Sequence, residues 1–246
     1  MSGMELANVA KGKLQRPRRV VCYGPPGIGK STFASQMPSP IFLGAEDGTA
    51  QLDIQRFPQP KSWADVMAAP DILLAEKHKF ATLVVDTLDF AEPLCWKHLC
   101  ERENKSSMDD FDWGRGFTAA LAEWRLFTHK LDKLRHEKKM SICLLAHSHI
   151  TKFQNPDGED YDRYELKMNK KAAGYIREWA DCVLFVNYET FTRESGGRIK
   201  GIDNGSRVLY TERRATFDAK NREGFPAKMP LSCAEFLKVA DGDMPV

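Results

Sequence analysis

An α/β fold with a mostly parallel central sheet flanked by helices is predicted by three features of the chain. Five short runs, at 19–23, 41–44, 82–86, 141–146 and 182–187, are apolar at successive positions, the pattern of central strands covered on both faces. Longer stretches at about 62–78, 88–103 and 116–139 separate most of these runs, and the last repeats Phe117, Leu121, Trp124, Phe127, Thr128, Leu131 and Leu134 at helical spacing. After residue 187 the turn signals Gly196-Gly197 and Asn204-Gly205 stand among β-formers. They predict antiparallel strands finishing the C-terminal edge of the sheet. A closing helix is expected after Ser232, with Phe236 and Leu237 on its buried side.

The 246 residues fit one large α/β domain. Residues 1–17 lack periodicity, end in Arg16-Pro17 and read as a flexible basic arm, which leaves 18–246 for the domain. Hydrophobic residues make up 42% and charged residues 28% of the chain, ordinary proportions for a globular protein. No apolar stretch approaches the roughly 20 residues that span a bilayer, and the N-terminus has no apolar segment of the secretory type. Six cysteines form no C-x-x-C pair, and Cys22, Cys143 and Cys182 lie inside strand-like runs. That usage predicts a reducing, cytoplasmic setting without disulfides or a zinc site. A net charge of +2 does not by itself argue for nucleic acid, although residues 193–222 hold eight basic residues against four acidic ones.

The first element carries the chemistry. The run 19–23 leads into Gly24-Pro25-Pro26-Gly27-Ile28-Gly29-Lys30-Ser31 and then a helix-like segment from Ser31, including Thr32. This G-x-x-x-x-G-K-S loop between strand and helix binds polyphosphate. Its glycines let backbone N–H groups curl around the phosphates, Lys30 supplies charge to the β- and γ-phosphates, and the Ser31 hydroxyl can coordinate Mg²⁺. The strand 82–86 ends in Asp86, where carboxylates meet ligands in open α/β sheets, and Asp86 is expected to hold the metal with Ser31. Glu46, just past the strand 41–44, is the candidate base for an attacking water; the neighbouring Asp47 suits a turn or helix cap better. The strand 141–146 ends in His147-Ser148-His149, and polar groups at that tip can contact a γ-phosphate. Which of the three does so is open, and the H-x-H spacing lacks a third zinc ligand. Lys220 and Arg222 stand near the end of the β-rich section and can neutralise charge on a phosphoryl group, or else form an exposed charged turn.

In order, these segments resemble the RecA-type P-loop ATPase core. GPPGIGKS is similar to its Walker A loop, Leu83-Val84-Val85-Asp86-Thr87 to its Walker B strand, and the segment 45–53 to the stretch bearing the catalytic glutamate. The segment 174–185 resembles the helix and strand after the second DNA-binding loop, and Lys220-Asn221-Arg222 resembles a Lys-x-Arg pair that acts on a neighbouring subunit's nucleotide. The resemblance covers roughly 17–232 and is nearest to small phage-encoded RecA-like ATPases of single-strand annealing and recombination. It departs from them in the short connection from Lys30 to Glu46 and in His-Ser-His where recombinases carry glutamine.

The resemblance implies an Mg²⁺-dependent, DNA-stimulated ATPase that assembles as a homo-oligomer, works in the cytoplasm (the host's, for a phage protein) and meets a single-strand binding protein. It also implies loops at about 104–116 and 150–172 that face single-stranded DNA. In the second, Lys152, Phe153, Arg163, Tyr164, Lys167, Lys170 and Lys171 combine cations with stacking rings, while five acidic residues nearly cancel the charge. Two other readings stay open: a small-molecule kinase, for which no arginine-rich lid is evident, and an AAA+-type remodelling or loading ATPase, for which the C-terminal third is short of helices.

Overall fold

The computed structural model describes residues 6, 9, 11–12, 16–44, 49–195 and 198–241. Most of the expected basic arm, Glu46 and the Gly196-Gly197 signal lie outside the described residues. Five parallel strands form the centre: β1 (Arg19–Gly24), β2 (Pro40–Gly44), β4 (Thr82–Asp86), the inner half of β5 (Ser141–Phe153) and the start of β7 (Cys182–Ser195). Their order is β7-β1-β5-β4-β2, with the short β3 (Gln55–Arg56) parallel at one edge. At the other edge β8 (Arg198–Tyr210) and β10 (Lys228–Pro230) run antiparallel, and β9 (Lys220–Asn221) pairs with the start of β7. The expected fold class therefore holds.

Apolar residues on both faces of each strand split between two cores. Val21 and Tyr23 of β1 belong to one cluster with Leu83, Val85, Trp124 and Phe127. Val20 and Cys22 belong to the other with Val84, Cys143, Leu145 and Phe236. This alternation follows from the period of two along a strand. The first core is covered by α2 (Trp63–Ala75), α3 (Leu88–Arg102), α4 (Arg115–Glu137) and α5 (Lys170–Trp179); the second by α1 (Lys30–Ser35) and α6 (Cys233–Ala240). Helix starts are set locally: the Ser62 hydroxyl accepts from the Asp65 N–H and the Asp65 carboxylate caps in return, while Ser232 accepts from the Glu235 N–H.

Two expectations need correction. The strand predicted at 141–146 does not stop there: β5 continues to Phe153 and turns back as β6 (Tyr161–Leu166), pairing Ser148 with Leu166 and Phe153 with Tyr161. The segment expected as a loop at 150–172 is thus a β-hairpin followed by α5. Asn204-Gly205 is not a hairpin turn but lies inside β8, where Tyr188 faces Arg207 while Thr190 faces Asp203. The extra residues between those pairs form a β-bulge.

Candidate nucleotide site

The C-terminal ends of β1 and β4 and the middle of β5 meet at one point of the sheet. Gly24 pairs with His147, and Asp86 pairs with Leu145. Gly24 must be glycine, because a Cβ there would stand 2.1 Å from the carbonyl oxygen of Val186 on β7. Past it the loop turns through left-handed backbone at Gly27 (φ 75°) and Gly29 (φ 107°), conformations that glycine adopts without a Cβ clash. The Ile28 side chain, fully buried in the second core, anchors the loop from below.

Lys30 is 5% exposed, and its ammonium donates to the carbonyls of Gly24 (3.1 Å) and Pro25 (3.0 Å). Ser31 Oγ donates to Asp86 Oδ2 at 2.6 Å, and Thr32 follows in the first turn of α1. Asp86 is 1% exposed. Burial pushes its carboxyl above the ordinary range, although the Ser31 hydrogen bond and the Lys30 charge oppose that shift. Its other oxygen, Oδ1, is buried without a hydrogen-bond partner among the described residues. A hydroxyl against a carboxylate whose second oxygen is unsatisfied suits a hard cation such as Mg²⁺ and its water shell. Gly44 pairs with Asp86; Glu46 falls in the segment 45–48, outside the described residues.

Of the histidine–serine–histidine trio, His147 has the built environment. The Asp89 carboxylate accepts from the His147 backbone N–H (2.9 Å) and meets ring Nδ1 (2.9 Å). Burial works against the Asp89 charge, but those contacts with His147 hold its carboxyl below the usual value. The His147 carbonyl in turn accepts from the Lys167 N–H at 2.9 Å, which ties the hairpin base to the same node. One turn further along α3, Glu92 is 4% exposed and receives the Asn169 N–H on both oxygens (3.1 and 3.0 Å). Asn169 is the N-cap of α5. Burial pushes Glu92 up to about 7, with the Asn169 hydrogen bond opposing and the Asp89 charge adding to the shift.

The residues expected to touch DNA divide into two groups. Lys152, Lys167, Lys170 and Lys171 are exposed, with Lys171 Nζ donating to Thr118 Oγ1 at 2.7 Å. Phe153 lies 5.2 Å from Tyr161 and beneath the Arg163 guanidinium. Arg163 is 4% exposed and forms an ion pair with Asp218, and Tyr164 packs 5.2 Å from Phe185. Those two residues brace the hairpin against the sheet.

Lys220 and Arg222 stand at the opposite end of the sheet from Gly24–Ser31. Lys220 pairs with Val183, near the start of β7 and about 10 Å, at ~3.3 Å per residue, below the level of Gly24. Its ammonium caps α5, donating to the carbonyls of Arg177 (3.0 Å), Glu178 (2.7 Å) and Ala180 (2.6 Å). Burial and then the Arg222 charge lower its pKa. Arg177, Arg213, Lys220 and Arg222 line a cavity of about 530 Å³ with Glu178 and Asp218, and Asp218 pairs with Arg163, Arg177 and Arg213.

Sequence reasoning missed Asp89, Glu92, Asp218 and Arg207. Asp89 and Glu92 share one face of α3 at spacing i, i+3, three and six residues after Asp86, which is a readable signal. An acid in the first turn of a helix is so common a dipole partner, however, that sequence alone gives it no further meaning. Among the described residues no group of three or more His, Cys, Asp or Glu side chains is arranged to hold a metal, and no helix is long and apolar enough to cross a membrane.

The sequence model of the AAA domain family matches residues 16–223. No curated protein matches the chain. Solved structures similar to it include a RadB recombinase, at a TM-score of 0.44 and 13% identity, covering 82% of this chain and 84% of that one. A likeness so loose carries no argument about function.

Proposed function

The chain belongs to the AAA domain family and is a P-loop ATPase, and from that premise we propose that it binds and hydrolyses ATP with Mg²⁺ to control binding of single-stranded DNA. The observation that carries this reading is the Ser31–Asp86 contact at 2.6 Å beneath the loop, with Asp86 Oδ1 buried and unsatisfied. The metal, held there by Ser31 and Asp86, would neutralise charge on the β- and γ-phosphates. Lys30 would leave the carbonyls of Gly24 and Pro25 for phosphate oxygens. Glu46 would orient and deprotonate the attacking water. His147, with Nδ1 occupied by Asp89, would present Nε2 toward the γ-phosphate.

Support for nucleotide control of the hairpin comes from the continuity of β5: His147 and the exposed Lys152 lie on one strand, and Lys167 bonds the His147 carbonyl. Single-stranded DNA would follow Lys152, Lys167, Lys170 and Lys171, with Phe153 at the edge as a stacking ring. Lys220, held on the carbonyls that end α5, and Arg222 would reach the nucleotide of a neighbouring copy rather than their own, so the working form would be a homo-oligomer. The biological setting proposed is recombination or annealing of the phage type, in the cytoplasm, beside a single-strand binding protein.

The test is ATPase rate with and without single-stranded DNA on the wild type, Lys30→Ala, Glu46→Gln and Arg222→Ala, together with DNA binding with and without a non-hydrolysable ATP analogue. DNA stimulation in the wild type, loss in each variant, and partial recovery on mixing Glu46→Gln with Arg222→Ala are expected. Equal DNA affinity with and without nucleotide would refute the coupling. The family's name favours one second reading, a loader or remodelling ATPase, for which a protein substrate rather than DNA would stimulate hydrolysis.

A further inference from the structure

A cation outside the reading above reaches the phosphate-binding loop from the antiparallel edge of the sheet. In the β7–β8 pairing, Tyr188 faces Arg207 and Thr190 faces Asp203, so the chain between Asp203 and Arg207 is longer than the chain it opposes. Gly205 sits in that excess with a φ of 74°. Bulges of this kind bend a strand and re-aim the side chain that follows, and they recur beside active sites. Here the first paired residue past the bulge, two positions after Gly205, is Arg207. Its Nη1 donates to the Ile28 carbonyl at 3.3 Å and lies 2.8 Å from where a Cβ on Gly29 would stand. The Arg207 carbonyl accepts from the Leu231 N–H at 3.0 Å. Its strand position is thus held on both sides, while the side chain stays exposed at the rim of the loop.

Lys30 and Arg207 share one arrangement. Each rests on carbonyls of the loop itself: Lys30 on Gly24 and Pro25, Arg207 on Ile28. A neutral carbonyl is a modest acceptor. A phosphate oxygen is charged, forms hydrogen bonds roughly twice as strong, and matches the two-pronged face of a guanidinium. We propose that Arg207 is a phosphate ligand of the bound nucleoside triphosphate, supplied by the same chain and aimed by the bulge at Gly205. It contacts phosphate beyond the α-position, because it reaches the loop at Ile28 and Gly29, immediately before the lysine that serves the β- and γ-phosphates. The inference rests on the reading of Gly24–Ser31 as the ATP loop and adds to it a cation distinct from Lys220 and Arg222, which would act on another copy.

The experiment is competition of ATP, ADP and AMP against a fluorescent ADP on the full chain, for the wild type, Arg207→Ala, Arg207→Lys, Lys30→Ala and the control Lys133→Ala. Arg207→Ala is expected to weaken ATP and ADP about tenfold or more, the scale of one charge-assisted hydrogen bond, and AMP markedly less. Arg207→Lys should recover part of the loss, and Lys133→Ala should match the wild type. Unchanged ATP affinity in Arg207→Ala, or an equal loss for ATP and AMP, overturns the proposal while leaving the loop reading in place. ATP binding by Lys30→Ala as tight as by the wild type would overturn the loop reading and the inference with it. A second measurement needs no variant: in the wild type, ATP should protect Arg207 from phenylglyoxal more than AMP does, read by peptide mass, and equal modification with either nucleotide counts against it.

Discussion

Replacing Glu92 by Gln should stabilise the protein at neutral and alkaline pH. The carboxylate is 4% exposed, and among the described residues its two oxygens share a single donor, the Asn169 N–H. Burial, opposed by that hydrogen bond and reinforced by Asp89, moves its ionisation from 4.5 to about 7. An acid whose folded pKa lies above its unfolded pKa favours the folded state in its protonated form. Its contribution is therefore intact below about pH 4.5 and is lost as pH rises through about 7. Linkage between those two ionisations makes the loss between pH 5 and pH 8 about 2.5 kcal/mol. Glutamine resembles the protonated acid and can still accept from Asn169 N–H, so the variant lacks this slope. The assay is urea unfolding of both proteins at intervals from pH 5 to pH 8, followed by circular dichroism. The free-energy difference, Glu92→Gln minus wild type, should grow with pH by roughly that amount. A difference independent of pH, or one that shrinks as pH rises, would refute the argument that burial dominates at Glu92.

Gly24→Ala would drive a Cβ to 2.1 Å from the Val186 carbonyl oxygen. It should force β1 from β7, cost at least about 1–3 kcal/mol of stability and abolish nucleotide binding, measurable by thermal melting and by binding of a fluorescent ADP. Ser31→Ala should remove the gain in ATP affinity on adding Mg²⁺ and leave the metal-free affinity near that of the wild type, whereas Ser31→Thr should keep the gain; titration with and without EDTA separates these outcomes. Asp181 accepts from the Arg19 N–H (3.0 Å), Nε (3.2 Å) and Nη2 (2.8 Å) and from Arg135 Nη2 (3.3 Å). Asp181→Ala, which leaves Arg19 only its Asp132 contact and Arg135 only the Pro17 carbonyl among the described partners, should cost about 3 kcal/mol in chemical denaturation. Burial opposes the Asp181 charge but the arginines outweigh it and lower its pKa. The wild-type advantage should therefore be present at neutral pH and fade as pH falls below the ordinary carboxylate range.

The central strands were readable because a parallel strand covered on both faces needs apolar residues at successive positions, and few other environments do. The outer half of β5 was not. His147-Ser148-His149-Ile150-Thr151-Lys152 is polar enough to read as a strand that has ended, and from Ser148 onward pairing with Tyr161–Leu166 keeps it extended. Asn204-Gly205 carries a turn signal because its backbone needs left-handed φ, and a bulge inside a strand makes the same demand. Arg163 and Tyr164 look like a cation and a ring ready for a nucleic acid. Asp218 and Phe185, distant in sequence, occupy them instead.

By itself the sequence determined the ligand class. The spacing from Gly24 to Lys30 and Ser31, and an aspartate closing the strand 82–86, are local requirements of holding a polyphosphate and its metal, and local requirements are written in consecutive residues. Tertiary structure alone decided which other charges share that site. Asp89 reaches His147 only because β4 and β5 are neighbours, and Arg207 reaches Ile28 only because the bulged antiparallel strand β8 lies beside β7, next but one to β1. Lys220 is carried to the far end of the sheet by its pairing with β7. Contacts between residues that are far apart in sequence depend on strand order and register, which no single segment encodes.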